Sequence, residues 1–164
     1  DLPVPFADVP ASAWYYSGVE YVWRNRLMNG VSDTQFAPDQ TTSRAMIWTI
    51  LARMNGVSTD ADSGSTWYEK GMRWAMEQGV SDGSSPMEDI TREQLAVMLW
   101  RNAGSPEGSG SRDSFRDAGS ASGYAAGALR WAAGCGILQG NGGYLNPKGT
   151  ATRAEAAAML MRYA

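Results

Sequence analysis

Three arginines in a common register organise this chain. When Arg44 (TTSRAM), Arg92 (ITREQ) and Arg153 (ATRAE) are aligned, the residues around them fall into matching columns. Repetition on this scale constrains the fold more than composition does. Each unit must be a small supersecondary element that cannot bury its own apolar face and needs its sisters to do so. Upstream, Trp14, Trp67 and Tyr124 each open a helix-like stretch. Within it Val19, Val22 and Trp23 are matched by Met72, Ala75 and Met76 and by Leu129, Ala132 and Ala133. That i, i+3, i+4 spacing marks one face of a helix.

A second helix is predicted after each arginine. Ile47, Ile50 and Leu51 correspond to Leu95, Met98 and Leu99 and to Ala156, Met159 and Leu160. Arg53, Arg101 and Arg162 sit near the ends of these helices, where a cation complements the dipole. Thr91 with Gln94 and Thr152 with Glu155 have the T-x-x-[EQ] form of a capping box. Ser43 can cap the first copy, but Met46 replaces the acid or amide partner, so that helix start should be weaker by up to about 1 kcal/mol. A glycine turn lies between the helices of each copy, at Asn29-Gly30, Asp82-Gly83 and Gln139-Gly140. Glycine there supplies positive φ or allows close backbone approach. The stretches 56–65 and 104–112 are rich in Gly and Ser and read as flexible linkers. The units are therefore 1–56, 57–104 and 105–164, packed as a mainly α, pseudo-threefold bundle with a groove between neighbours.

Composition excludes several functions. The formal charge of −3 offers no basic field for nucleic acid and no polybasic membrane patch. No apolar run is long enough to span a bilayer, and no signal peptide stands at the start. A chain opening at Asp1 rather than Met reads as a piece of something larger. Histidine is absent, which removes the commonest general base and transition-metal ligand. Cys135 is alone, so there is neither a disulfide framework nor a CxxC pair; packing of a small side chain is its favoured role. No cofactor motif and no calcium-ligand spacing occurs.

Two copies share a longer pattern. FADVPASAWYYSGVEYV with RLMNGVSDTQFAPDQTTSRAM, and FRDAGSASGYAAGALRWAAGCGILQG with YLNPKGTATRAEAAAML, resemble the S-layer homology domain. The features are F-x-D, an aromatic, a helix, an NG-type turn, F/Y-x-P and T-R-A-E. The second copy lacks F-x-D but keeps WYEKGMRWAMEQGVSDG and ITREQLAVMLW. The resemblance spans residues 6–164. It implies a non-catalytic, monomeric module of a larger secreted protein, which the module anchors non-covalently to the bacterial cell wall or S-layer. The ligand implied is a secondary cell-wall polysaccharide bearing pyruvylated N-acetylmannosamine. By position, the ligand contacts would be Arg44, Arg92 and Arg153, with Gly30, Gly83 and Gly140 supplying backbone.

The chemistry suits such a ligand. A guanidinium pairs bidentately with a carboxylate, and free amides at a helix start add positive potential. Several weak sites would act together on one polymer. The same arginines could equally be ion pairs between repeats. Trp14, Trp67 and Tyr124 could stack on a sugar, although a core anchor is the favoured reading. The column Tyr21, Trp74 and Trp131 lies off the apolar stripe, so it lines a groove or packs on a neighbouring loop. Glu155 and Gln94 read as caps rather than ligands. The second copy is shortened between Gly83 and Arg92 and carries Met87 where Phe36 and Tyr144 stand. The third copy is the most complete, which favours the groove containing Arg153. A structural or protein-interaction module with degenerate grooves is the alternative function. A carboxylate-only glycosidase ranks third, since it needs two acids about 5–10 Å apart in a cleft.

Overall fold

The structure, a computed structural model, describes residues 3–108, 116–140 and 143–164. Phe115 of the third F-x-D and residues 109–112 of the second linker lie outside that range. The described residues form helices α1 (Tyr16–Arg24), α2 (Arg44–Met54), α3 (Glu69–Glu77), α4 (Arg92–Asn102), α5 (Ala126–Gly134) and α6 (Arg153–Tyr163). Short 3₁₀ turns at Ala118–Ser120 and Gly123–Ala125 precede α5. Each repeat thus contributes two helices, as its periodicity requires. No helix among them is long and apolar enough to cross a membrane.

Neighbouring repeats exchange helices. The closest pairs are α1 with α6, α2 with α3, and α4 with α5, so each first helix lies on the second helix of another copy in cyclic order. Small residues permit this. A side chain on Gly18 would run into the α6 backbone at Ala158, and one on Gly71 into α2 at Thr49. The matching residue of α5, Ala128, is fully buried. The second helices bury most of their surface, with Ile47, Ile50, Leu51, Leu95, Leu99, Ala156 and Leu160 all inaccessible. The first helices bury a single stripe; in α1 it comprises Gly18, Val19 and Val22.

A ring of backbone hydrogen bonds joins the copies just before the motif arginines. The amide of Thr42 donates to Ala151 at 3.2 Å, Ala151 to Ile90 at 3.0 Å, and Ile90 to Thr42 at 2.8 Å. The first two amides of each second helix continue the exchange. Arg44 and Ala45 donate to Glu88 and Pro86, Arg92 and Glu93 to Gly149 and Pro147, and Arg153 and Ala154 to Gln40 and Pro38. The third amide of each helix is held by its cap, Ser43, Thr91 or Thr152, and both threonines form full capping boxes.

The F-x-D aspartate clamps the loop ahead of this ring. Both oxygens of Asp8 accept from the amides of Phe36 and Ala37, and those of Asp117 accept from Leu145 and Asn146, all at 2.8–2.9 Å. Burial opposes the charge on Asp117, but these amides outweigh it and hold the carboxyl below its ordinary value. Hence Phe36 matches Leu145, both fully buried, while Tyr144, one residue off that column, and Met87, three residues past its second-copy member Ser84, are exposed. The second copy has no such aspartate. Its shortened turn closes on itself, with Asp82 accepting from the amide and hydroxyl of Ser84.

Contrary to the flexible reading, the described residues of both linkers are tied to the helices at Thr59, Pro106 and Gly108. Thr59 is buried and accepts from Arg53 Nε at 2.8 Å, while Trp100 Nε1 donates to Pro106 at 2.8 Å. Gly108 lies so close to the α5 backbone at Trp131 that no side chain fits. This explains why Trp74 and Trp131 are buried instead of off the stripe, and why Met76 is exposed. Cys135 also faces solvent, at the C-cap of α5, so it does not pack as a small buried side chain.

Candidate functional site

The motif arginines act first as latches between copies. Each reaches across to the loop of another repeat, at the residue eight positions before that repeat's own arginine. Arg44 Nε donates to the carbonyl of Ser84 at 3.0 Å, Arg92 Nε to Leu145 at 2.9 Å, and Arg153 Nε to Phe36 at 2.8 Å. Arg153 adds a bond from Nη2 to Asn29 at 2.6 Å and lies over the Phe36 ring at 4.6 Å. Arg92 is ion-paired with Glu155. Arg44 reaches Ser81 at 3.3 Å and Asp82 at 3.5 Å. Burial pulls Arg92 and Arg153 below the usual guanidinium value.

The amides beside these arginines are not free. All three in the first turn are taken up by carbonyls or by the cap, so the extra positive potential expected from open amides is absent. Glu155 and Gln94 cap as expected, and Glu155 also holds Arg92.

Two cavities nevertheless share one plan. Along α6, a cavity of about 310 Å³ is walled by Glu155, Met159 and Arg162, the turn at Gln139–Gly140, Arg92, and Trp14. Along α4, a cavity of about 300 Å³ has Gln94, Met98 and Arg101, the turn at Ser81–Asp82, Arg44, and Tyr124. Each therefore draws on three copies, one giving helix and turn, a second the arginine and a third the aromatic. In the same way Arg153 reaches the first copy's turn at Asn29, while the third copy's turn faces Arg92. Arginine and turn glycine of one copy thus do not share a groove.

The remaining candidates separate. Trp14, Trp67 and Tyr124 are 65%, 44% and 57% exposed, so they do not anchor the core; Trp14 and Tyr124 line the two cavities. Trp131 packs edge-on against Tyr163, 6.1 Å between ring centres, and Trp74 is buried beside Val57. Neither lines the cavities along α4 and α6. Gly140 lines the α6 cavity. Gly30 is required because a side chain would meet the Phe6 ring and the Ser32 and Gln35 carbonyls, and Gly83 because its φ is +78°. The arginines missed from the sequence are Arg101 and Arg162. Both line the cavities and tie the turns through Val80 and Ile137 carbonyls; their recurrence was visible, but the dipole explained it.

Comparison with known proteins agrees with this architecture. The S-layer homology domain profile matches residues 5–45 and 114–157, just over half of the chain. The intervening residues include the second copy, whose loop is shortened. An endoglucanase of Bacillus sp. (strain KSM-635) is 29% identical over 176 residues, covering 95% of this chain and 18% of that protein. Exoglucanase XynX of Acetivibrio thermocellus is 30% identical over 175 residues, 96% of this chain and 16% of that protein. The surface-layer 125 kDa protein of Lysinibacillus sphaericus is 32% identical over 114 residues, 60% of this chain and 10% of that protein. The chain spans less than a fifth of the length of each.

Proposed function

The chain belongs to the S-layer homology domain family, and from that premise we propose that it is a non-catalytic module anchoring a larger protein to the bacterial cell wall. Relatives that share it include proteins named as glucanases and as a surface-layer protein. A segment common to proteins so differently named supports a role in location rather than in their reactions. The domain boundaries proposed remain 1–56, 57–104 and 105–164, with helices exchanged across them.

The ligand proposed is an acidic secondary cell-wall polysaccharide, with pyruvylated N-acetylmannosamine as the unit seated in a groove. The observation that carries this reading is the α6 cavity, where an exposed indole (Trp14), two guanidiniums (Arg92 and Arg162) and a turn glycine (Gly140) meet. An indole covers the apolar face of a pyranose, and Arg162 offers an ionic partner for its carboxylate. Arg92 is already neutralised by Glu155, so it positions the wall of the groove. The α4 cavity, with Tyr124 and Arg101, is the second site proposed. Arg153 is the most fully latched of the three arginines, which turns the choice of main groove away from it.

The test is binding to wall sacculi from a strain that pyruvylates its secondary polymer and from one that cannot. Because Trp14 is mostly exposed, Trp14→Ala should fold normally and lose most binding, with Tyr124→Ala losing less. Pyruvate-dependent binding untouched by either would remove the sugar from these grooves. A folded protein that ignores both walls yet retains a protein partner would establish the interaction-module alternative.

A further inference from the structure

The first repeat carries a cationic cluster that its sisters lack. At the C-terminal end of α1, a shallow cavity of about 690 Å³ is lined by Trp23, Arg24, Arg26, Asn29, Arg53 and Asp60. Register with the other first helices replaces Trp23 by Met76 and Ala133, Arg24 by Glu77 and Gly134, and Arg26 by Gly79 and Gly136. Trp23, Arg24 and Arg26 are therefore additions peculiar to the first repeat, built beside Asn29 and Arg53, whose counterparts Asp82 and Arg101, and Gln139 and Arg162, line the other two cavities.

Arg26 is the telling residue. Helices α1 to α5 all close with the same pair of bonds, in which the residue after the cap adopts a left-handed conformation. Glycine takes that place at Gly56, Gly79, Gly104 and Gly136, with φ between +71° and +91°; only Arg26, at φ +58°, carries a side chain there. A side chain in this region is strained, whereas glycine is not. The helix dipole accounts for a cation at Arg24, in the last turn, but not for one placed at a strained position beyond it. The Arg26 guanidinium has no ion pair or hydrogen bond to any described residue.

Its neighbours are held in place. Arg53 is fixed by Nε to Thr59 Oγ1 and by Nη1 to the Leu27 carbonyl, which leaves Nη2 to serve a ligand. Arg24 lies 5.4 Å over the Trp23 ring and reaches Glu20 at 3.4 Å. Trp23 itself is steadied edge-on by Phe6. Three guanidiniums outnumber Asp60 and Glu20, a local excess of positive charge on a chain whose formal charge is −3.

We propose that this cavity is a separate subsite for an oxyanion-bearing sugar unit, with the arginines on the carboxylate or phosphate and Trp23 against the ring. It lies apart from the cavities along α4 and α6, and it stands or falls independently of them. Its occupant would be a second charged unit of a wall glycan, adding reach along the polymer.

The experiment follows the indole signals of the intact chain by NMR during titration with trigalacturonate, glucose 6-phosphate, inorganic phosphate or maltotriose. Saturable shifts of the Trp23 signal are expected with both charged sugars and none with maltotriose; preference between the two tells carboxylate from phosphate. Arg26→Gly restores the residue its sister repeats use and relieves the strained backbone, so it should fold with a melting temperature at least as high while binding about tenfold more weakly. In Trp14→Ala the shifts of the Trp23 signal should saturate at the same probe concentration, whatever happens in the α6 cavity. Absence of a Trp23 shift, or equal affinity in Arg26→Gly, would overturn the subsite. Inorganic phosphate binding as tightly as glucose 6-phosphate would overturn the role of the sugar. Loss of wall binding by Trp14→Ala with probe binding kept would leave both proposals standing, so the two fail separately.

Discussion

Arg153 is 6% exposed, and its guanidinium spends two donors on backbone carbonyls of a repeat more than a hundred residues away. Sequence placed the three motif arginines in one column but left latch and ligand contact open, because the partner is a carbonyl, which every residue has. Replacing Arg153 by Ala would leave the Phe36 and Asn29 carbonyls unpaired, at a cost of about 2–4 kcal/mol in urea unfolding. Lys should recover only part of that loss, since one ammonium cannot make the forked contact. Unchanged stability in Arg153→Ala would refute the latch. Thr42 presents the opposite case: it is 2% exposed, and its hydroxyl has no partner among the described residues. Thr42→Val keeps the shape and removes the unmet polar group, so it should raise stability by about 1 kcal/mol. A loss would mean that the hydroxyl is satisfied.

At the scale of elements, the second helices were the most legible part. Their apolar positions are buried as read, and Ser43, Thr91 and Thr152 all cap. The outer helices were less so. A nine-residue helix has little more than two turns in which to show a period, and a pinned linker covers a face that the periodicity assigns to solvent. That is why Trp74 and Trp131 changed sides with Met76. The close approach of α1 to α6 was not visible either, since a single glycine in a helix has several readings. Gly18→Ala decides it. Alanine should gain about 1 kcal/mol from helix propensity but lose about 1–3 kcal/mol to the clash with the Ala158 backbone. Net destabilisation is expected in a chemical unfolding curve; net stabilisation would show that the helices can separate cheaply.

For the whole molecule, repetition announced three copies but not the order in which they exchange helices. The exchange closes on itself: α6 covers α1, so the last helix completes the first repeat. The fold should therefore melt in one transition, with calorimetric and van't Hoff enthalpies in agreement. Acid should test the loop clamps. Asp82, held low by the hydroxyl and amide of Ser84, and Asp117, held low by two backbone amides despite burial, titrate below their unfolded values. The unfolded chain then binds protons first as pH falls, so their contribution is complete above about pH 5 and disappears through and below about pH 4. With no histidine in the chain, the melting temperature should be flat from about pH 5 to pH 8; a step near pH 6.5 would contradict this. The claim on which the rest depends is that the closed molecule grips wall glycan, and co-sedimentation tests it most directly. The protein is mixed with intact sacculi and with peptidoglycan stripped of its secondary polymer. Pelleting with intact sacculi alone is the expected result, whereas equal pelleting with both, or with neither, would contradict the account.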